Sequence, residues 1–295
     1  ASAQKVLEDV LLKMVEHVYD KTKSKNLCLG GGVALNGVAN YRILKESSFE
    51  NVHIPPSPGD AGSAVGCAQH LYFSYHEQKR MIDDPTQSII ENVYVGPSYS
   101  RGEIKQFLDT KHIEYEELDD IATIEKCAKL ISEGNVVGWY QGKMEWGPRA
   151  LGNRSILADP RRKEMKDILN EKIKHRESFR PFAPSILEEY YSDYFDIDIP
   201  SPYMLMVAPV KKPEKIPAVT HVDGTGRVQT VSKNSNPFYH KLISKFYELT
   251  GVPVIINTSM NVRGEPIVNT PEPVSYTHLR AHETRHDLVC RLLLE

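Results

Sequence analysis

The stretch NVVGWYQGKMEWGPRALGNRS, residues 135–155, joins an apolar run to a loop that is rich in glycine and basic side chains. Its first residues predict a strand, and Lys143, Arg149 and Arg154 follow the end of that strand. In α/β proteins, ligands bind near the carboxyl ends of strands, and glycines let a ligand approach the backbone. Three interpretations are open: a turn with solvated arginines, a phosphate or carboxylate site, and a nucleic-acid contact.

The residues before this stretch alternate between strand and helix patterns. Residues 92–100 and 113–118 predict short strands, and Ser100 with Glu103 predicts the capping box of a helix between them. A second helix at 124–134 ends at Gly134 and leads into the strand at 135–141. Such alternation predicts an α/β or α+β sheet domain.

The first 80 residues hold two glycine-rich turns, each between a predicted strand and a predicted helix. They are NLCLGGGVALN at 26–36 and VHIPPSPGDAGSAVG at 52–66, and an amphipathic helix at 3–22 precedes them. Free amides at a helix N-terminus attract anions, so the two turns are expected to form opposite walls of a nucleotide cleft. Close packing of a helix on a sheet also explains the glycines. Asp60 is either a helix N-cap or a carboxylate facing a metal or phosphate.

Residues 171–185, EKIKHRESFRPFAPS, place Lys174, Arg176 and Arg180 among aromatic and proline residues. An arginine held in this way suits bidentate recognition of phosphate or carboxylate. The alternative is a surface helix whose arginines stack on aromatic rings.

Two later stretches add polar residues to apolar strands. Arg227 is predicted to lie in a glycine-rich turn between two short strands. The apolar run at 251–256 leads directly into Asn257, Thr258 and Ser259. Polar side chains at the end of a buried strand are typical of a pocket wall.

The composition describes a globular protein of 295 residues, with 40% hydrophobic and 25% charged residues. This length permits two domains, and a net charge of -3 gives no general attraction for nucleic acid or an anionic membrane. No apolar run reaches the roughly 20 residues of a membrane span. The cysteines at 28, 67, 127 and 290 form no CxxC pair, which indicates a reduced, cytoplasmic protein.

Five blocks, in order along the chain, resemble the O-carbamoyltransferases of the nodulation-protein-U and antibiotic-tailoring type. They are LGGGVALNGVANYRIL, IPPSPGDAGSAVG, GWYQGKMEWGPRALGNRSILADPR, KIKHRESFRPFAPSIL and GVPVIINTSMNVRGEPIVNTP. The resemblance implies an α/β protein with the C-terminal remnant of an actin/sugar-kinase-like domain at 1–80. A linker at 81–91 and a YrdC-like α/β twisted-sheet domain at 92–273 would follow.

The resemblance also implies a reaction and its ligands. The second domain would join carbamoyl phosphate and ATP, with Mg²⁺, into carbamoyl adenylate. The first domain would bind nucleotide and Fe²⁺ and transfer the carbamoyl group to a hydroxyl of a small acceptor, a sugar or natural product. Several negative charges meet in such a site, so fixed cations are needed.

The resemblance assigns roles to residues in both domains. The implied catalytic anion-binding residues are Arg149, Lys174, Arg180 and Arg227, and the implied substrate contacts are Lys143, Arg176, Asn257 and Ser259. The implied nucleotide contacts are Gly31, Gly32 and Asn36, and Asp60 is the implied iron ligand.

This chain departs from the family pattern at both ends. The family's N-terminal half, with its HxxxH metal pair, is absent, so we expect an incomplete iron site and no complete transfer by this chain alone. Residues 274–295 replace the family's closing helix and strand, and we expect a non-native tail that lies outside the sheet or is disordered. His278, His282 and His286 have helical spacing that also suits zinc, but the change in composition and a similarity to translated adapter sequence favour a foreign tail.

Two other functions fit parts of the pattern. One is a YrdC-like carbamoyl-adenylate synthase for tRNA threonylcarbamoylation, and the other is a non-catalytic nucleotide-binding module. The fused segment at 1–80 favours the tailoring type of enzyme over the first, and the cations in every block argue against the second. Neither nucleic acid nor a membrane is an expected partner, and homodimerisation is compatible with the sequence.

Overall fold

The structure, a computed structural model, describes residues 2–79 and 92–274 and the backbone of 288–292. The linker predicted at 81–91 lies outside the described residues. The first region contains helix α1 (Ser2–Thr22), strand β1 (Asn26–Cys28), helix α2 (Gly37–Glu46), strand β2 (Asn51–His53) and helix α3 (Asp60–Gln69). Strands β1 and β2 pair in parallel, as expected for two strands that each lead into a helix.

A larger mixed sheet forms the second region. Its strands are β3 (Val136–Tyr140), β4 (Arg154–Ala158), β5 (Ala183–Leu187), β6 (Met206–Pro209), β7 (Thr225–Val231), β8 (Val254–Ser259) and β9 (Leu288–Leu292). Its helices are α4 (Arg101–Thr110), α5 (Asp120–Ser132), α6 (Met165–Ile168), α7 (Tyr191–Tyr194), α8 (Pro237–Thr250) and α9 (Pro271–Val274). The predicted α/β class is confirmed.

The strand order across the sheet is β6-β7-β5-β8-β4-β3-β9. Strand β8 lies between β5 and β4 and is antiparallel to both. The pairs β3–β4 and β6–β7 are also antiparallel, whereas β5–β7 and β3–β9 are parallel. This order places the ends of β5, β7 and β8 beside one another although the three strands are far apart in sequence.

The core is built on strands that are buried along their whole length. Every residue of β3, β4 and β5 is buried, and α5 and α8 pack on each other and on the sheet. The Trp139 ring stacks on Phe238 with 5.5 Å between the ring centroids. Burial of this apolar surface is the main force that stabilises the domain. None of the helices in the described ranges is long and apolar enough to cross a membrane.

Local sequence signals predicted helices better than strands. The capping box at Ser100 and Glu103 is present. The helix predicted at 124–134 is α5, which starts at Asp120 and ends at Ser132, just before Gly134, whose φ of 94° few other residues adopt. The predicted strands at 92–100 and 113–118 are wrong. The first contributes only a bridge between Tyr94 and Glu145, and the second is irregular and mostly exposed. A sequence of alternating apolar and polar residues forms a strand only where one face is buried and an adjacent strand pairs with its backbone.

The first region contacts the second through α2, which packs against β6. The buried Asn40 donates through Nδ2 to the backbone oxygens of Leu205 and Ala34, both at 2.8 Å. Lys45 forms an ion pair with Asp198 at 2.6 Å. Helix α1 buries Val15 but leaves a stripe of apolar side chains exposed, which consists of Val6, Val10, Met14 and Val18.

The expectation that the tail lies outside the sheet is wrong for Leu288–Leu292. The backbone of this segment pairs in parallel with β3, so that Val136 lies opposite Leu288 and Tyr140 lies opposite Leu292. Val274, the first residue of the predicted tail, is fully buried in the core. The zinc alternative at His278, His282 and His286 falls outside the described residues.

Candidate functional site

The loop at 141–153 connects the antiparallel strands β3 and β4 and is organised by one buried carboxylate. Glu145 is 5% exposed, and its Oε1 accepts hydrogen bonds from the backbone N–H groups of Leu151, Asn153 and Arg154 at 2.8, 2.7 and 3.1 Å. A buried carboxylate that accepts several backbone N–H groups fixes a loop conformation. Glu145 is not predicted from the sequence, because a single acidic side chain in a loop is usually solvated.

Arg154 also serves the loop and does not line the cavity described below. It is fully buried in β4, and its guanidinium donates to the backbone oxygens of Gln141, Asn153, Gly142 and Pro97. Its Cζ lies 3.6 Å from the centroid of the Tyr140 ring, which adds a cation–π contact. Of the two arginines in the loop motif, Arg154 therefore holds the backbone, whereas Arg149 lines the cavity.

Three arginines from separate segments line one cavity of about 130 Å³. Arg149 comes from the loop, Arg176 from the segment before β5, and Arg227 from β7. The other wall consists of the end of β8, with Asn257, Thr258 and Ser259. Arg227 was expected in a glycine-rich turn, but it lies within a strand, because the turn ends at Gly224 and β7 begins at Thr225.

The electrostatics of this cavity favour an anion. Burial lowers the pKa of Arg149 and Arg176, and burial with the charges of Arg149 and Arg176 lowers the pKa of Arg227 to about 9. All three side chains stay cationic at neutral pH, and their charges repel one another. The Nε atoms of Arg149 and Arg227 are buried and have no hydrogen-bond partner within the described part of the chain.

Asn170 holds the third arginine in place. The Nε of Arg176 donates to Asn170 Oδ1 at 2.7 Å, and Asn170 Nδ2 donates to the backbone oxygens of Ser178 and Arg180 at 3.2 and 3.0 Å. Asn170 itself is fully buried. Arg176 is thus oriented in advance of any ligand, which reduces the entropy lost on binding.

The Asn257 side chain belongs to a buried polar network. Its Nδ2 donates to the backbone oxygen of Ala150 at 3.2 Å and to Gln229 Oε1 at 2.8 Å. Gln229 Nε2 in turn donates to the backbone oxygen of Leu151 at 2.8 Å, and Ser185 Oγ donates to Gln229 Oε1 at 2.6 Å. The network joins β5, β7 and β8 to the loop, so it sets the position of Arg149 relative to Arg227.

Lys174 lies beside the cavity but does not line it. Its buried ammonium donates to the backbone oxygens of Ser259 and Asn261 and to Asn261 Oδ1. Ser259 Oγ donates to the same Oδ1 at 2.6 Å. Burial, with a smaller effect from the charge of Arg176, lowers the pKa of Lys174 to about 7. Its direct contact is the turn after β8, and its role toward a ligand stays a prediction.

Two of the predicted cations do not line the cavity. Arg180 is exposed and pairs with Glu177 at 2.9 Å between Nε and Oε2. Lys143 is exposed on the loop. The structure thus brings Arg149, Arg176, Arg227, Asn257 and Ser259 together, places Lys174 next to them, and leaves Lys143 and Arg180 outside.

The two glycine-rich turns of the first region lie side by side. The N–H of Gly31, which has a φ of 91°, donates to the backbone oxygen of Pro58 at 2.7 Å. A side chain at Gly31 or Gly32 would meet no atom within 4 Å, so this turn faces open space. Asn36 caps α2 by accepting from the N–H of Ala39 at 3.1 Å, and it also bonds Gln4. A nucleotide contact at these residues stays a prediction.

Asp60 is the first residue of α3 and is exposed, and Gly59 occupies the N-cap position. Within the described residues, no group of three or more His, Cys, Asp or Glu side chains comes close enough to hold a metal ion. Iron bound by oxygen and imidazole groups needs several protein ligands. The described residues around Asp60 do not fit an iron site by themselves.

One family model matches each of the two regions of the chain. The family model for the carbamoyltransferase C-terminus matches residues 128–289, and the model for the carbamoyltransferase N-terminus matches residues 1–69. Because the first match runs to residue 289, it includes much of the segment that was predicted to be foreign.

Solved structures give weaker likenesses. The Sua5 protein of P. abyssi, complexed with L-threonine, has a TM-score of 0.43 and 19% identity, over 59% of this chain and 47% of that chain. The E. coli YciO structure has a TM-score of 0.42 and 13% identity, over 61% of this chain and 81% of that chain.

Several relatives found by sequence have a much higher identity to this chain than those solved structures have. A Synechocystis protein is 46% identical over 92% of this chain and 48% of its own length. The nodulation protein NolNO of Sinorhizobium fredii is 41% identical over 92% of this chain and 40% of its own length. The nodulation protein U of Bradyrhizobium diazoefficiens is 36% identical over 90% of this chain and 44% of its own length. The chain thus spans about half the length of these relatives or less, and it belongs to the carbamoyltransferase family.

Proposed function

We propose that this chain carries the carbamoyl phosphate and ATP site of an O-carbamoyltransferase and forms carbamoyl adenylate there. One observation carries the proposal. Arg149, Arg176 and Arg227 converge on one small cavity, and two of their buried Nε atoms have no partner within the described residues. Three cations that repel one another in a partly dry site are stabilised by an anion that each of them can bind.

The size of the cavity indicates which part of the reactants it holds. Its volume of about 130 Å³ lies below the ~300–1,000 Å³ of typical ligand pockets. Such a cavity suits a phosphate group with a small substituent and is too small for a whole nucleotide. ATP would therefore bind at the mouth of the cavity, toward the turn held by Lys174, with Mg²⁺ neutralising part of its charge.

The proposed reaction makes anion neutralisation the main task of the protein. Carbamoyl phosphate, ATP and one water give carbamoyl adenylate, pyrophosphate and phosphate. Each bond change takes place at a carbonyl carbon or a phosphorus atom that is surrounded by negatively charged oxygens. Preorganised guanidinium groups stabilise the charge that develops there. The adenylate would then carry the carbamoyl group to a hydroxyl of a sugar or natural product.

Pyrophosphate release and anion binding together test this proposal. The purified chain should release pyrophosphate from ATP only when carbamoyl phosphate is present. Arg149→Ala should abolish this release and weaken carbamoyl phosphate binding, since one charge-assisted clamp in a transition state contributes about 2–4 kcal/mol. Lys163→Ala is the control, because Lys163 is exposed and does not line the cavity.

Two results would count against the proposal. A folded chain that gives no heat with carbamoyl phosphate in isothermal titration would show that the cavity is not its site. Equal rates of pyrophosphate release in Arg149→Ala and wild type would show that Arg149 has only a structural role.

A further inference from the structure

Met204 has a left-handed backbone conformation although it is buried. Among the described residues, five other than glycine have a positive φ angle: Lys23, Glu77, His112, His175 and Met204. The first four are exposed, whereas Met204 is 3% exposed and has a φ of 56°. A side chain in this region is strained, and the strain persists only where the surrounding contacts hold it, often at a functional site. Met204 lines the arginine cavity, so its conformation shapes the wall of that site.

Met204 packs beside the loop that presents Arg149. It belongs to an apolar cluster with Val93, Leu151 and Ala183. Leu151 lies two residues after Arg149 in the same loop. Because protein interiors are closely packed, a shift of Met204 changes the contacts on which the position of Arg149 depends.

The first region holds the chain immediately after Met204. Asn40 of α2 is 2% exposed, and its Nδ2 donates to the backbone oxygens of Leu205 and Ala34, both at 2.8 Å. Leu205 and Met206 also pack in one apolar cluster with Ala34, which belongs to the first region. Asn40 therefore ties the backbone directly after Met204 to α2.

The fit between α2 and this segment leaves no room for a side chain. A Cβ atom at Gly37 would lie 2.9 Å from Val207 Cγ2, 3.3 Å from the Val207 backbone nitrogen and 3.4 Å from the Leu205 backbone oxygen. Helix α2 thus touches the chain at 205–207 directly. A movement of α2 relative to the sheet is passed on to Met204, because closely packed groups transmit strain.

We propose that Asn40 is a positioning residue of the anion site, which holds the carbonyl of Leu205 and thereby keeps Met204 in the wall of the arginine cavity. The first region then sets the anion affinity of the second through Met204. Without the bond from Asn40, Met204 relaxes to an unstrained φ and its contact with the Arg149 loop changes. The inference rests on the proposed function and adds the residue that couples the two regions at that site.

The test measures the affinity for inorganic phosphate by isothermal titration against the whole chain. Asn40→Ala should bind phosphate about 3- to 30-fold more weakly than wild type, the range expected for residues coupled through contact. Met204→Gly should also weaken binding, and the double variant should bind within about twofold of Met204→Gly, because Asn40 acts through Met204. Lys45→Ala is the matched control. It removes another contact between the regions, the ion pair with Asp198 at 2.6 Å, and should stay within about twofold of wild type.

The outcomes separate this inference from the proposed function. If phosphate does not bind the folded wild type, the proposed function fails and this inference fails with it. If phosphate binds wild type, an unchanged affinity in folded Asn40→Ala refutes the role of Asn40 alone. An equal loss in Lys45→Ala refutes it as well, and so do effects of Asn40→Ala and Met204→Gly that add in the double variant.

Amide hydrogen exchange of the wild type decides the question if either variant does not fold. Coupling between two sites is reciprocal, so phosphate should slow exchange in α2 by at least about threefold. Exchange in α4, which does not line the cavity, should stay within about twofold. Exchange in α2 that phosphate leaves unchanged overturns the inference.

Discussion

Substitution of Arg227 should change the stability of the free protein and its affinity for anions in opposite directions. In the free protein, burial and the charges of Arg149 and Arg176 lower the pKa of Arg227 to about 9. At about 1.4 kcal/mol per pH unit, this shift sets an upper limit of roughly 5 kcal/mol on the penalty of keeping Arg227 charged. Solvent and salt in the cavity reduce the expected penalty to about 1–3 kcal/mol. Arg227→Met removes the charge and keeps an unbranched side chain, so the free protein should become more stable by that amount.

The same change should weaken binding of the anion. Loss of a charge-assisted bidentate contact costs about 2–3 kcal/mol, which corresponds to a 30- to 160-fold weaker affinity for carbamoyl phosphate. Urea unfolding in phosphate-free buffer measures the first effect and isothermal titration the second. Lys143→Met is the control, since Lys143 is exposed and lies outside the cavity. If Arg227→Met is less stable than wild type when free and binds carbamoyl phosphate normally, Arg227 is a structural cation and the anion-site reasoning is wrong.

Two more predictions concern groups that support the cavity. Burial lowers the pKa of Lys174 to about 7, below its usual range, so the charged side chain destabilises the folded state. This destabilisation is fully present below pH 7 and is lost as the pH rises above 7, because Lys174 then becomes neutral in the folded protein. Lys174 should therefore raise the free energy of unfolding of the free wild type by roughly 2 kcal/mol between pH 7 and pH 9, as measured by urea unfolding. The Lys174→Met protein should lack this rise. Glu145→Ala removes the acceptor of three loop N–H groups and should lower stability by about 2–3 kcal/mol and weaken phosphate binding, whereas Lys143→Ala on the same loop should do neither. A Glu145→Ala protein with wild-type thermal stability and phosphate affinity would contradict this role.

The basic residues of the cavity were predicted from the sequence, but the sequence did not show which of them line the cavity and which hold the backbone. Lys174 and Arg176 are two residues apart, yet one is held by the turn after β8 and the other lines the cavity. They follow the π-helical turn Leu169–Ile173, whose altered period changes which way each side chain points. A pattern of charges shows that cations are concentrated in a segment, and only the backbone path decides which of them face a ligand.

The polar network behind the cavity was missed for a different reason. Ser185 interrupts the apolar strand β5, which is buried throughout, and Gln229 interrupts the buried second half of β7, Val228–Val231. That interruption is the signal that could have identified them, because a buried polar side chain needs a partner. The partner lies on another strand, so the pairing depends on the order β7-β5-β8, which local patterns do not reveal.

The segment Leu288–Leu292 should protect β3, contrary to the expectation from its composition. Its backbone pairs with β3 along Val136–Tyr140, and β3 leads directly into the loop that carries Arg149. Deletion of residues 284–295 would leave one edge of β3 without a partner strand, and unpaired edges open locally and associate. Amide hydrogen exchange in 136–140 should then rise at least tenfold, whereas exchange in β5 and β7, four and five strands from β9, should stay within about threefold. Carbamoyl phosphate should bind the truncated protein more weakly, because opening of β3 disorders the loop that presents Arg149. Unchanged exchange in 136–140 after the deletion would show that this pairing contributes nothing to the sheet, and the segment would then be the inert tail that its composition indicates.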